Sequence, residues 1–248
     1  MSMFLGDFHL HSTFSDGELT IPQLVDLMGQ NGIGAIAITD HLCEEKTFLG
    51  KAARLLDKSL TKKTFPLYMQ TIRAEAERAW KQYKMVVIPG VEITKNSFSH
   101  HNSAHILALD IHEYINPDTP LRDIILNIKS QGGLAIAAHP VHTGKSEHQT
   151  HLLWNQKNEL KELIDLWEVA SGPRLFAQVQ RSNLKKIANS DLHRAEQVRS
   201  WKTAFSCEKH ALAIKEALLA QNIEFKYFEP VKQTSPFNFL AQNITKLA

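Results

Sequence analysis

Short runs of β-branched and apolar residues alternate along this chain with stretches whose apolar positions recur every three or four residues. The first pattern predicts strands and the second amphipathic helices, and their alternation predicts an α/β fold with a mainly parallel sheet wrapped by helices. The strand runs are Met3–Phe8, Ala35–Thr39, Met85–Pro89, His105–Asp110, Leu134–Ala138, Ile164–Val169, Ile187–Asn189, Lys202–Phe205 and Glu224–Tyr227. Among the helices, Thr119 and Pro120 read as an N-cap and a first-turn proline. Leu121, Ile124, Ile125 and Ile128 then form the apolar stripe, and Gly132 and Gly133 end it. Thr20, Leu24, Leu27 and Met28 with Gly32 repeat that pattern. Further helices are predicted near Leu67–Tyr83, with Arg73–Glu77 and Glu77–Lys81 as i,i+4 pairs, and over Leu175–Lys186 and Glu208–Gln221.

No internal repeat and no Pro/Gly/Ser-rich linker divides the chain, so a single barrel domain is expected over residues 1–228, followed by a tail over 229–248 carrying Pro230 and Pro236. Leu42–Thr64 mixes basic and acidic residues and reads as a solvated helical excursion or lid, part of a helical insertion over about residues 42–84. Glu147–Asn158 is polar and reads as a loop over the mouth of the barrel.

Composition narrows the class. With 28 Lys and Arg against 26 Asp and Glu the net charge is +2, which gives no electrostatic reason to expect a protein that coats nucleic acid or lies on a membrane. Apolar residues make up 43% of the 248, ordinary globular usage, and a chain of this length buries roughly 70–75% of its unfolded surface. Cys43 and Cys207 cannot build a disulfide framework, which favours a reducing cytoplasm. The opening MSMFLGDFHLHS has neither a cationic start nor an apolar core of a leader, so an unexported, cytoplasmic protein is expected. The anomaly is 13 histidines, as many as tryptophan, tyrosine and methionine together. Histidine is the commonest metal ligand and the usual proton carrier near neutrality.

Their positions are not scattered. His9 and His11 sit two apart at the end of the first apolar run, where a strand points both to one face, and Asp16 follows in a turn-like Ser15-Asp16-Gly17. His41 closes the second run after Thr39-Asp40, Glu92 follows Pro89-Gly90-Val91 after the third, and His139 stands before Pro140. Asp191 and His193 end another run, again two apart, whereas His105 begins its run and so lies at a strand's entry. In a β/α barrel the C-terminal strand ends converge on one face, where active sites are built.

The runs Asp7-Phe8-His9-Leu10-His11-Ser12, Ser15-Asp16-Gly17, Ile38-Thr39-Asp40-His41, Gly90-Val91-Glu92, His139-Pro140 and Asn189-Ser190-Asp191-Leu192-His193 resemble the motifs of the polymerase and histidinol phosphatase (PHP) family. The resemblance implies a distorted seven-stranded β/α barrel holding two to three divalent metal ions, Mn, Zn or Fe. It implies that His9, His11 and Asp191 hold one ion, His105 and His139 a second, and Asp16, His41 and His193 a third, with Glu92 bridging the first two. His101 is the alternative to His105, because both follow the Gly-Val-Glu run. All nine positions carry side chains able to ligate, which favours catalysis over a degenerate, non-catalytic module.

Three divalent cations and three carboxylates leave such a site with a charge of about +3, an attractor for a phosphate ester. Paired metals also lower the pKa of a bridging water and stabilise both oxygens of an in-line displacement. The expected activity is therefore hydrolysis, by a metal-bridging hydroxide, of a phosphoester in a small phosphorylated metabolite or nucleotide. The alternatives are a 5'-3' nuclease on short oligonucleotides and a histidinol phosphate phosphatase. A long nucleic acid is disfavoured by the charge and the lack of an aromatic and basic platform, although Lys51, Arg54, Lys58, Lys62 and Lys63 cluster. Arg174, Arg194 and Lys145 are the candidate phosphate ligands and His142 the candidate general acid. Cys43, two residues beyond His41, reads as a small buried thiol rather than a ligand.

Overall fold

The computed structural model describes residues 2–56, 58–99, 102–141 and 150–230, with Arg54 described by its backbone alone. The helices form where the sequence supplies a cap and a stripe. In α1 (Ile21–Gln30) the Thr20 side chain accepts from Gln23 N and the Gln23 side chain answers at the Thr20 N–H, a capping box; the helix buries Ile21, Leu24, Val25 and Met28. In α4 (Leu121–Ser130) Ile124, Ile125 and Ile128 are buried, and the helix begins one residue later than Thr119 and Pro120 suggest, with Pro120 as its cap.

The strands are β1 (Phe4–Asp7), β2 (Ala35–Ile38), β3 (His41–Cys43), β4 (Val86–Lys95), β5 (Ala104–Leu109), β6 (Leu134–Ala137), β7 (Leu166–Ser171), β8 (Arg174–Leu175), β9 (Lys186–Asn189), β10 (Trp201–Phe205) and β11 (Ile223–Tyr227). They join one sheet in the order β11-β10-β1-β2-β4-β5-β6-β7-β8, with β3 added on β4 and β9 on β7. Neighbours are parallel through β1-β2-β4 and β6-β7-β9, and antiparallel at β4-β5-β6, β7-β8 and β1-β10-β11. The expectation of seven strands is therefore corrected to eleven among the described residues, in a mixed sheet.

The extra strands have local causes. The sequence pattern ends a strand at Pro89, yet β4 runs on for ten residues, pairing with β2 up to Pro89 and with β3 from Glu92. Gly90 allows this, since a Cβ there would meet Ala108 O of β5 at 2.8 Å. A turn at Gly172 (φ +57°) folds Arg174 and Leu175 back on β7 as β8. That return overturns the helix expected over Leu175–Lys186: only α7 (Ala177–Gln180) forms.

The sheet curls until its far edge meets β1. Beyond the two strand ends, His11 N donates to Leu192 O (2.8 Å) and Leu192 N to His9 O (3.1 Å). Side chains close the rest of this seam: Phe8 N donates to Asn189 Oδ1, Ser190 N to Asp7 Oδ1, and Ala188 N to Thr203 Oγ1. Both faces are buried, as expected for strands covered on two sides. Ile36, Ile38, Ile106 and Ala135 pack in the cluster that includes the apolar stripes of α1 and α4, whereas Ala35, Ala37, Leu107 and Ile136 pack in the cluster reached by α8 (Ala211–Ala220).

Between β3 and β4 lie α2 (Phe48–Leu55) and α3 (Phe65–Tyr83). The crossover helix is α3, which buries Tyr68, Met69, Ile72 and Ala79. Its ion pairs are Arg78 with Glu75 and Asp26, not the i,i+4 pairs Arg73–Glu77 and Glu77–Lys81. The buried Tyr68 hydroxyl receives Asp40 N–H (3.2 Å) and lies 2.8 Å from Gly90 O and 3.0 Å from Ile38 O, tying the end of β2 to β4. Tyr68→Phe is expected to lower the unfolding free energy by about 1–3 kcal/mol, read from urea denaturation, because it strands buried backbone groups. A loss of a few tenths would show that those groups have other partners.

No helix among the described residues is long and apolar enough to cross a membrane. Thr150–Asn158, expected as loop, carries α5 (His151–Asn155) and the start of α6 (Lys157–Leu160). His210 caps α8, its Nδ1 accepting Ala213 N–H, which accounts for a histidine with no ligand spacing.

Candidate metal centre

All nine ligand-capable residues arrive at one end of the sheet. His9 and His11 lie just past β1, Asp16 in the loop before α1, His41 at the start of β3 opposite Glu92 on β4, His139 past β6, and Asp191 and His193 past β9. His105 joins them from a strand's entry because β5 is antiparallel to β4 and β6, which brings its beginning to the end where the parallel strands finish. The loop holding Asp16 is pinned by the buried Asp40, which accepts from Ser12 N (2.8 Å), Ser12 Oγ (2.7 Å) and Ser15 Oγ (2.6 Å). It closes tightly: a Cβ on Gly17 would meet His11 O at 2.2 Å.

The imidazoles share an orientation. His9 Nδ1 lies 3.0 Å from Glu168 Oε1, His41 Nδ1 2.8 Å from Thr94 Oγ1, His139 Nδ1 3.2 Å from Thr150 Oγ1, and His193 Nδ1 3.1 Å from the Asp191 carbonyl. Each Nε2 is thereby aimed at a carboxylate. His9 Nε2 is 3.3 Å from Asp191 Oδ1 and 3.5 Å from Glu92 Oε1, His139 Nε2 is 3.4 Å from Glu92 Oε1, and His41 and His193 Nε2 are 3.5 and 3.3 Å from Asp16 Oδ1. His11 Nε2 lies 3.3 Å from Asp191 Oδ1 and 3.6 Å from Glu92 Oε2. His105 differs, with Nδ1 2.9 Å from Glu92 Oε1 and Nε2 2.9 Å from Asn96 Oδ1. Two of the residues are held in the left-handed region, His139 at φ 26° and Asp191 at φ 55°. Backbone strain of this kind persists where surrounding structure imposes it, as at ligand clamps.

These spacings fit shared cations. Nitrogen and oxygen donors bind a divalent ion at about 2.0–2.2 Å, so two neighbouring donors on one ion stand about 3.0–3.5 Å apart. Four groups of converging donors form: His11, Asp16, His41 and His193; His9, His11 and Glu92; His9, His139 and Asp191; and Glu92, His105 and His139. His9 Nε2 and both nitrogens of His11 are buried without a hydrogen-bond partner, although buried polar atoms are normally satisfied, and Glu92 Oε2 has His41 Nδ1 at 2.7 Å. Cys43 lines the same cavity but belongs to none of the groups, and burial pushes its thiol up to about 11.

Electrostatics point the same way. Burial opposes charge throughout, yet the surrounding imidazoles hold Glu92 and Asp191 well below the usual carboxylate range. Against the same opposition, carboxylates raise His9, His41 and His139, and bring His193 to about 9. Burial lowers His11 to about 3, with repulsion from His193 and His41, and lowers His105 to about 4. The carboxylates thus favour positive charge at His9, His41, His139 and His193, the electrostatic role that cations would fill, and ligation requires the donor nitrogens to be free of protons.

The sequence pattern of the PHP domain matches residues 7–193, the span that contains all nine positions. The chain belongs to the PHP domain family. Solved structures share this PHP fold. A two-domain protein from Bacteroides vulgatus containing a predicted PHP-like metal-dependent phosphoesterase is 23% identical, with a TM-score of 0.65 over 91% of this chain and 65% of that one. The present chain therefore spans about two thirds of that relative's length. PsfC from Pseudomonas syringae is 14% identical with a TM-score of 0.55 over 99% of this chain and 98% of its own. An amidohydrolase from Chromobacterium violaceum, solved with sulfate and no metal, is 17% identical with a TM-score of 0.53 over 92% of this chain and 98% of its own. No curated protein matches the chain.

The expected phosphate ligands fare differently from the metal set. Arg174 stands exposed on β8, and the exposed Arg194 pairs with Glu18 at 3.0 Å; neither lines the cavity of about 290 Å³ above the cluster. His142, Lys145, His101, His148 and the tail from residue 231 lie outside the described residues. The cavity wall instead brings in Lys58, one of the clustered basic residues but not an expected phosphate ligand, and Asn96, which the sequence pattern does not single out. Glu168 is the other addition, a fully buried carboxylate within the apolar strand β7, and its signal was that unexplained charge between Trp167 and Val169.

Proposed function

We propose that this PHP domain is a metal-dependent phosphoesterase that hydrolyses a small phosphorylated metabolite or nucleotide. The observation that carries the reading is the convergence of partnerless, buried His9 and His11 nitrogens with Glu92, Asp191, His139 and His105 beneath an open cavity. His9, His11 and Asp191 would hold one divalent ion, His105 and His139 a second with Glu92 shared, and Asp16, His41 and His193 a third. When bound, such ions supply positive charge for the phosphate oxygens and acidify a water. Donor chemistry of imidazole and carboxylate without thiolate suits Mn, Fe or Zn.

The remaining work falls to the chain. Asp40 holds the loop that presents Asp16, and Glu168, Thr94 and Thr150 fix imidazole orientations so that no donor reorganises when substrate enters. Lys58, at the cavity wall, offers an ammonium to the phosphate. In the reaction a water oxygen bonds to phosphorus, the bond to the ester oxygen breaks, and that oxygen takes the water's proton, leaving an alcohol and inorganic phosphate.

The test is phosphate release from a panel of phosphomonoesters, including histidinol phosphate and nucleoside monophosphates, beside a labelled short oligonucleotide. Metal-free protein is supplied in turn with Mn, Zn and Fe. Monoester turnover that His9→Ala lowers at least about 100-fold is expected, with two to three ions per chain by elemental analysis. Oligonucleotide-only turnover replaces the metabolite reading with the nuclease; an intact panel with metal bound overturns hydrolysis.

A further inference from the structure

Beside the metal cavity opens a second hollow of about 410 Å³, whose walls include Glu44, Thr47, Phe48, Asn96, Phe98 and Asn102. Asn96 lines both spaces, and its Oδ1 lies 2.9 Å from His105 Nε2, so the hollow adjoins the candidate metal centre. Phe48 on α2 and Phe98 beyond β4 are among the most exposed large apolar residues described, at 72% and 80%. They are not scattered singly, which would need no explanation: their rings lie near-parallel, 24° between planes and 6.4 Å between centroids. Such a spacing is at the loose end of the range for an aromatic pair.

A solvated pair of near-parallel rings is a stacking platform, because every planar ring offers a π-face to it. The chain keeps both rings near the metal cavity. Phe98 is two residues from Asn96, no more than about 7 Å of extended backbone, and the segment carrying Phe48 also brings Lys58 to the metal cavity. Leu55 and Leu56, also exposed on that segment, do not line the hollow.

We infer that the phosphoester taken by this site carries a planar aromatic ring in its leaving group, stacked on Phe48 and Phe98 while the phosphate lies above the histidine and carboxylate cluster. The inference rests on the phosphoester reading and names its substrate class. Thr47 and Asn102 place polar groups at the rim of the hollow, where the edge of a nucleobase would find donors and acceptors.

Equilibrium binding separates this inference from the reaction. Zn-loaded protein is titrated by calorimetry with the hydrolysis-resistant phosphonate counterparts of adenosine 5'-monophosphate, ribose 5-phosphate and phenyl phosphate. The adenosine counterpart is expected to bind at least about 10-fold more tightly than the ribose counterpart, the scale of one base–aromatic stack. Phe48→Ala and Phe98→Ala should each bring that ratio toward one, and Phe98→Tyr should restore it. The same preference for the phenyl counterpart assigns any aryl leaving group; preference for the adenosine counterpart alone assigns a nucleobase. A ratio near one in the native protein overturns the inference even if every ester is hydrolysed. A ratio insensitive to both alanine variants does the same, as does self-association abolished by those variants without any ring preference. Ring-dependent binding without turnover leaves the stacking site standing and removes the hydrolase.

Discussion

Lys202→Met is expected to lower the unfolding free energy by about 3–5 kcal/mol, the cost of removing one partner of a buried ion pair. Lys202 on β10 is fully buried; its Nζ lies 2.6 Å from Asp7 Oδ2 and 2.6 Å from Ser200 Oγ. Burial pushes the ammonium's pKa down and Asp7 opposes that. Without the ammonium, the Asp7 carboxylate stays fully buried with only the Ser190 N–H (2.9 Å) to hold it. A double variant, Asp7→Asn with Lys202→Met, keeps an acceptor for Ser190 and removes both charges, so it should recover much of the loss. Urea denaturation of the metal-free protein reads both values. A cost under about 1 kcal/mol for the single variant would mean that the pair behaves as a solvated one. The pair has a functional address, because Ser190 precedes Asp191, whose left-handed backbone (φ 55°) presents its carboxylate to His9 and His11. Slackening of the seam is therefore expected to weaken metal binding as well as the fold.

The legibility of this protein in its sequence divides along a physical line. Positions set by local spacing were readable: His9 and His11 two apart beyond an apolar run, and the Thr20 cap with its stripe of Leu24 and Met28. Positions set by partners far along the chain were not. β3 is three residues long and exists because His41, Leu42 and Cys43 pair in register with Glu92, Ile93 and Thr94. The two residues of β8 are a strand only through β7, which is why the pattern over Leu175–Lys186 misled toward a helix that starts at Leu175. His105 looked misplaced at a strand's entry, and the antiparallel direction of β5, which no local signal carries, puts it at the site. Glu168 is a charge inside an apolar run and Lys202 one at the start of a strand, and neither stands out by spacing. What they bond to, 159 residues away in the case of His9, comes from the curl of the sheet. The seven-strand expectation failed for the same reason, since strand count depends on pairing and pairing on the fold.

Glu168→Gln is expected to weaken metal binding by about 10–100-fold, the usual effect of losing a carboxylate behind a ligating histidine. The argument lies in what the carboxylate now accepts. Oε1 takes His9 Nδ1 (3.0 Å) and Asn189 Nδ2 (2.8 Å), and Oε2 takes the His139 backbone N–H (2.7 Å) at the residue held at φ 26°. One side chain on β7 therefore orients ligands from β1 and β6. A glutamine fills the same volume but has a single acceptor oxygen, so its NH₂ must face one of these donors. If it faces His9, the imidazole shifts its proton to Nε2, the nitrogen that must be bare to ligate. If it faces His139, a buried N–H loses its acceptor and the strained turn loses its tether. Either arrangement disturbs metal donors while leaving the packing intact, so the apo protein should stay folded and the deficit should appear in competition titration against a chromophoric chelator. Glu168→Ala removes the acceptor from all three donors at once and is expected to add a stability loss of about 1–3 kcal/mol or more, which separates positioning from folding. A folded Glu168→Gln protein with native metal stoichiometry and affinity would show that His9 is oriented by packing alone.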